Sequence, residues 1–379
     1  MGVSNFVITA SLIGNLLNPL NQGWLYIKNI FFNPPPLAVG ISAPAPTKAQ
    51  SKHLKISPQF GLYSTAWTAR SKKINDLMRV ADETEINSIV IDVKEDGDYL
   101  DDYIKNLVTE LRGKNIYTIA RIVLFKDGSQ TKIRPDWYFK KSDGSLWQDN
   151  RGWRWLDPFN KETWDYNLAL SKKTIDYGFD ELNFDYIRFP AFKKDDDVNL
   201  PPDFASAKVK TINEFARYLT SELKKHDPEI TLSVDLFAYN MLSADDLGIG
   251  QKFIDLYDYF DYVSPMIYPS HYLPGNFGFE NPAEHPYEMV FGTIESGKGL
   301  LREKIIADAA TTTPDAVEPA LKEKIKNLRP WLQDFNIGAK YDADMVRREK
   351  QAVYDAGLTS GWLLWNPNNV YTEGAFDKK

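Results

Sequence analysis

A chain of 379 residues is longer than one average domain and fits either two domains or a single large α/β barrel. With 45 Lys and Arg against 52 Asp and Glu it carries a net charge of −7, which provides no field to gather a polyanion and argues against a nucleic-acid partner. The lack of cysteine removes disulfides, thiolate metal sites and thiol nucleophiles, and the four histidines, His53, His226, His271 and His285, show no metal-ligand spacing, so neither metal nor cofactor is called for.

Met1 to Ile27 carries no charge, and Lys28 is the only charged residue before Lys48. The run is interrupted by Asn5, Asn15, Asn18, Pro19, Asn21 and Gln22, and it lacks the positive start and clean apolar centre of a secretory signal. Two readings stay open: an uncleaved export anchor, which would hold the protein at a membrane outside the cytoplasm, or a disordered or locally packed leader. Pro34–Pro36 and Ala43–Pro46 read as an extended linker, because proline fixes φ and removes donors. The division expected is therefore a leader and linker over 1–52 and one folded domain over 53–379.

In that domain, segments rich in β-branched and aromatic residues alternate with helical patterns, the signature of repeated βα units. Strands are expected at Gln59–Ser64, Asn87–Lys94, Ile116–Phe125, Glu181–Phe189, Thr231–Tyr239, Tyr262–Tyr268, Asn327–Asp334 and Ser360–Asn366. Helices are expected at Ser71–Asp82, Tyr103–Arg112, Lys161–Tyr177, Phe204–Lys225, Gln251–Leu256, Pro286–Lys304 with breaks at glycine, and Ala343–Tyr354. Glu303–Ala309 also has strand character, but the helix formers ahead of it favour a helix tail. Eight parallel strands close a (β/α)8 TIM barrel, which is the fold expected.

The strands alternate. Leu182 and Phe184 leave Asn183 and Asp185 on the other face, Leu232, Val234 and Leu236 leave Ser233, Asp235 and Phe237, and Ile89, Ile91 and Val93 leave Ser88, Val90, Asp92 and Lys94. The polar row must face the barrel interior. Such barrels normally fill both faces with apolar side chains, so Asp92, Asp185 and Asp235, near the strand ends where this fold keeps its chemistry, require an explanation. One is a pair of acids on neighbouring strands doing general acid and nucleophile or base work on a glycosidic bond, Asp185 and Asp235 being that pair. The alternative is that each simply pairs with a barrel arginine such as Arg121 or Arg188.

The 10 Trp and 20 Tyr are the one compositional excess. Trp137, Trp147, Trp153 and Trp155 fall in the long segment 126–160 after the third strand, and Trp67, Tyr268, Trp331 and Trp365 fall at or just past other strand ends. Such rings either stack on sugar faces in a cleft or pack as lid and core.

The strings Gly61–Thr65, Ile91–Lys94, Phe184–Pro190 (FDYIRFP), Arg329–Phe335 (RPWLQDF) and Gly361–Asn366 (GWLLWN) resemble, in order and over about residues 56 to 372, a bacterial and archaeal family of glycoside-hydrolase type with a TIM-barrel catalytic domain. The resemblance implies a glycosidase acting on a polysaccharide or oligosaccharide. Asp180–Ile187 is also similar to the strand-four motif of chitinase-type barrels, but Ile187 stands at the proton donor and Asn183 at an Asp, so that substrate-assisted mechanism lacks its acid.

The expected roles are Asp185 as nucleophile or base, oriented by Arg188, and Asp235 as acid, with Tyr63, Asp92, Tyr268, Trp331, Gln333, Trp365 and Asn366 forming the substrate shell. The rival readings are a barrel that binds carbohydrate without cleaving it, and a hydrolase whose metal is held by Asp92, Asp185 and Asp235.

Overall fold

The computed structural model describes residues 52–308 and 314–379. The reading of the leader as an anchor lies outside them, and among the described residues no helix is long and apolar enough to cross a membrane. Lys52 and His53 both bind the Asp227 carboxylate, at 2.5 and 2.8 Å.

Eight parallel strands form the barrel: β1 Gln59–Ser64, β2 Ser88–Glu95, β3 Tyr117–Val123, β4 Glu181–Asp185, β5 Thr231–Phe237, β6 Tyr262–Met266, β7 Trp331–Gln333 and β8 Gly361–Trp365. Each pairs with its sequence neighbours, and β1 pairs with both β2 and β8, which closes the ring as a TIM barrel. A two-residue antiparallel strand, Gly97–Asp98, folds back on the end of β2.

The helices lie outside, with α1 Ala66–Ala69, α2 Ile74–Glu83, α3 Asp102–Gly113, α4 Lys161–Asp176, α5 Phe204–His226, α6 Phe253–Leu256, α7 Pro286–Asp308, α8 Pro314–Lys324 and α9 Ala343–Asp355. Aspartate or asparagine caps start three of them: Asp101, Asn160 and Asp342 accept backbone N–H groups of the first turn.

The expected elements are present with ends shifted by a few residues, α1 and α8 are additional to them, and three further differences stand out. The seventh strand shrinks from Asn327–Asp334 to Trp331–Gln333, because a 3₁₀ turn takes Ile325–Asn327. The fourth stops at Asp185, since Tyr186 adopts φ +55° and breaks the pleat. Finally, α7 runs unbroken through its glycines to Asp308, settling Glu303–Asp308 as helix. Gly297 packs closely on Met241, whose methyl would lie 2.0 Å from a Cβ at that position and would have to shift.

Two apolar layers result from the alternation. Ile89, Ile91, Val93, Leu182, Phe184, Leu232, Val234 and Leu236 pack outward against the helices, while Val90, Tyr117, Ile119, Trp331 and Leu363 form a smaller cluster of the opposite register inside. Deep in that interior sits an ion pair, Arg329 Nη1 lying 3.0 Å from Glu181 Oε2, with Nη2 bonded to the other oxygen and both side chains fully buried.

The C-terminal segment fastens the ring from outside. Thr84 and Lys378 form an antiparallel bridge, Glu85 N–H donates to the Asp377 carbonyl at 2.8 Å, and Lys379 N–H donates to the Glu83 carbonyl at 3.2 Å. Lys350 ties the same segment down by donating to the Ala375 carbonyl at 2.9 Å.

The seam between β1 and β8 depends on Gly361. Its φ is +89°, and a Cβ there would sit 1.9 Å from the Gln59 carbonyl oxygen. Gly361→Ala is expected to cost more than about 2 kcal/mol, through left-handed strain together with forced separation of the two strands. A urea midpoint within error of wild type would contradict this.

Candidate active site

The site lies at the C-terminal rim and is built by strand register. Asp92 of β2 is paired with Arg121 of β3, and Arg121 with Asn183 of β4. Phe184 is paired with Val234, so one step further Asp185 stands beside Asp235. The inward row of four neighbouring strands thus reads Asp92, Arg121, Asp185, Asp235 around one arc.

Arg121 is the hub. Its Nη1 lies 2.7 Å from Asp92 Oδ1, its Nη2 2.5 Å from Asp185 Oδ2, and its Nε 3.9 Å from Asp235 Oδ2. Asp185 takes a second donor, the Tyr186 N–H, at 2.6 Å on Oδ1. The left-handed turn at Tyr186 therefore serves the carboxylate directly beside it. Asp92 also accepts the Tyr63 hydroxyl. Burial pushes the Asp92 carboxyl above the usual range, against the pull of Arg121.

Asp235 is in a different environment. Its Oδ1 accepts from Asn183 Nδ2 and Trp331 Nε1, both at 2.8 Å, and the side chain is 1% exposed. Burial, followed by the negative charge of Asp185, pushes its pKa up to about 8, in spite of Arg121 and these two donors. The two adjacent carboxyl groups thus differ in their surroundings: Asp185 is bonded to a guanidinium and an N–H, and Asp235 is buried and favours its proton.

Beneath Asp235 a hydrogen-bonded chain runs into the barrel. Asn183 Nδ2 also donates to Ser233 Oγ at 3.0 Å, and Ser233 donates to Glu181 Oε1 at 2.5 Å. Glu181 is the partner of Arg329, so the proposed acid is connected to the buried ion pair.

The expected shell separates into two groups. Tyr63, Tyr268, Trp331 and Trp365 do converge. Tyr268 stacks on Trp365 at 5.3 Å between centroids, and Tyr63 meets Trp331 edge-on at 6.4 Å. Of these four rings only Trp365 is partly exposed. Gln333 and Asn366 instead have internal partners. Gln333 Oε1 accepts the Ser270 N–H and hydroxyl at 3.1 and 2.8 Å, and Asn366 donates to the Asp334 carbonyl. They fix loops.

Arg188 is not the residue that orients Asp185. Arg188 lies past the break at Tyr186, the strand's alternation does not assign it to the face of Asp185, and its Nη1 donates to the Phe189 carbonyl at 3.0 Å. Arg121 takes the role, and the sequence signal was its place in the inward row Tyr117, Ile119, Arg121. The long loop after β3 also differs from an all-aromatic platform. Trp137, Trp147 and Trp155 are buried, with Trp137 against Tyr166 and Trp147 against Phe192, while Trp153 and, after β1, Trp67 are the rings left partly open.

Among the described residues no group of three or more His, Cys, Asp or Glu side chains is arranged to hold a metal. Between Asp92, Asp185 and Asp235 the position of a shared cation is filled by Arg121.

Residues 61–371 match the model of a family described as "Putative glycosyl hydrolase domain". Among solved structures, a hypothetical protein from Ruminiclostridium thermocellum is 31% identical, covering 46% of this chain and 96% of its own, with a TM-score of 0.40. An α-galactosidase from Thermus thermophilus is 14% identical, covering 85% of this chain and 64% of its own, with a TM-score of 0.49. The spore cortex-lytic enzyme SleL from Bacillus megaterium is 12% identical, covering 84% and 72%, with a TM-score of 0.48. No curated protein matches the chain.

Proposed function

Since the chain belongs to the family described as "Putative glycosyl hydrolase domain", we propose that it is a glycosidase acting on a polysaccharide or oligosaccharide through Asp185 and Asp235. The observation that carries the reading is the contrast in surroundings of two neighbouring carboxyl groups: Asp235 is buried and pushed up to about 8, while Asp185 is bonded to Arg121 at 2.5 Å.

In this reading Asp235 donates its proton to the leaving oxygen, and the Asp185 carboxylate attacks the anomeric carbon. Asp235, now deprotonated, then draws a proton from the water that releases the sugar. Adjacent parallel strands lie about 4.8 Å apart, and two aspartates at matching height hold their carboxyls nearer 5.5 Å than 9 Å, which favours retention of configuration. Tyr63, Asp92, Tyr268 and Trp365 supply the substrate walls. The test is proton NMR of the first product during hydrolysis of an oligosaccharide panel. An inverted anomer rejects the double displacement, and calorimetric binding without reducing-end release rejects catalysis in favour of a binding barrel.

The pH dependence has a definite sign. The acid must hold its proton, so kcat/KM for substrates with poor leaving groups is expected to fall as pH rises through about 8, and to stay flat there for activated aryl glycosides. Stability follows the same group. Between about pH 4, the unfolded value for Asp, and about 8, the folded chain binds a proton that the unfolded chain releases, so this contribution is complete below 4 and lost as pH rises through 8. Asp235→Asn is expected to flatten that decline in urea titrations. An unchanged slope would show that Asp235 is ionised throughout.

A further inference from the structure

Arg188 is 5% exposed and lies against three aromatic faces, with its guanidinium carbon 4.7 Å from the Trp155 centroid, 4.9 Å from Tyr186 and 4.8 Å from Phe237. Its one hydrogen bond among the described residues is Nη1 to the Phe189 carbonyl, and no carboxylate there comes within ion-pair distance. The acids whose fields reach it are committed elsewhere. Asp185 is engaged by Arg121 and the Tyr186 N–H. Asp149 accepts the Arg151 and Trp153 N–H groups at 2.9 Å and the Trp155 indole N–H at 3.1 Å.

Further cations surround this arginine. The Arg151 guanidinium lies 5.0 Å from the Trp153 centroid and the Lys126 ammonium 4.4 Å from the same ring, with Lys126 also 5.2 Å from Tyr186. Burial lowers the affinity of Arg188 for its proton, and the charge of Arg151 acts in the same direction. Lys126 is paired with Glu95 at 3.0 Å. A desolvated guanidinium among like charges is costly unless an anion joins it, and the planar fork of arginine matches an oxyanion in two-point contact.

We propose that Arg188, flanked by Arg151 and Lys126, is an anion subsite next to Asp185, and that the sugar unit bound there carries an oxyanion substituent, a carboxylate being the planar match. The inference rests on the glycosidase reading for its substrate class, and it makes that substrate an acidic glycan. Tyr186 couples the two functions, since its N–H holds Asp185 and its ring lies against Arg188.

The experiment is titration of the full chain with D-glucuronate, D-glucose 6-phosphate, D-glucose 6-sulfate and D-glucose, read by tryptophan fluorescence and calorimetry at low and high salt. At least one charged sugar is expected to bind more than about tenfold tighter than glucose at low salt, with the advantage shrinking as salt rises. Their ranking identifies the substituent. Arg188→Gln should abolish the advantage and leave glucose binding in place. Arg151→Gln should weaken it, and provides the readout if the first variant fails to fold. Equal binding of charged and neutral sugars by wild type, or an advantage that survives in folded variants at both positions, overturns the proposal. Cleavage confined to neutral glycans removes the subsite and leaves the glycosidase reading standing, whereas acid-sugar binding with no glycan cleaved does the reverse.

Discussion

Turnover is expected to fall by a factor on the order of 10⁴ to 10⁶ when Asp185 is replaced by alanine, the range seen when a nucleophile is deleted. The accompanying expectation is rescue. Removing the carboxylate leaves the Arg121 Nη2 and the Tyr186 N–H, both formerly bonded to Asp185, facing a gap of carboxylate size. Azide is an anion small enough to enter it, so added azide should restore turnover of activated substrates and give a glycosyl azide. Asp185→Asn should be equally inactive but not rescued, because the amide fills the gap. Asp235→Ala should behave differently, sparing substrates with good leaving groups and crippling those that need a proton. If both alanine variants show the same substrate dependence, the assignment of roles is wrong. None of these substitutions removes the partner that Arg121 has in Asp92, 2.7 Å away in the wild type, and urea unfolding of each variant separates loss of activity from unfolding.

The second large effect concerns stability. Arg329→Met leaves Glu181 without its guanidinium in the barrel interior, with the Ser233 hydroxyl as the remaining donor at 2.5 Å. Removing one partner of a buried pair costs about 3–5 kcal/mol, because the charge left behind is uncompensated. The double variant Glu181→Leu with Arg329→Met should recover most of that loss, since apolar replacement of a whole buried pair is often neutral or stabilising. Urea unfolding of the three variants checks both halves. A single variant within about 1 kcal/mol of wild type would mean that Glu181 takes up a proton and tolerates the loss. Asn183 and Ser233 connect Glu181 to Asp235, so the double variant should also shift the alkaline limb of the rate profile.

The barrel was legible in the sequence because strand alternation is a strong signal: Leu182 and Phe184 against Asn183 and Asp185, or Val234 against Asp235, fix which face is inward. The three aspartates at one rim follow from the same pattern. Alternation says nothing about where a strand ends, so the left-handed turn at Tyr186 could not be read, and Arg188 was placed where Arg121 acts. Strand β7 is only three residues long, too short for any period to show. Helix α8 is not among the expected helices, and it carries Pro319 in its interior, where proline works against a helical pattern. The tryptophans of 126–160 were visible as a cluster, but only packing separates buried Trp137, Trp147 and Trp155 from partly open Trp153.

The fastening of the ring by its last residues has a consequence for the order of events during synthesis. Units made first can collapse as they emerge, since helices and neighbouring strands need only local chain. The seam is another matter: β1 must wait for β8, some 300 residues later, and the Thr84–Lys378 bridge waits for nearly the last residue described. Until then β1 offers a free edge, which nascent chains and chaperones can reach. A ribosome stalled just short of Gly361 would therefore display an open, sticky sheet, and the ring would close only once β8 has been made.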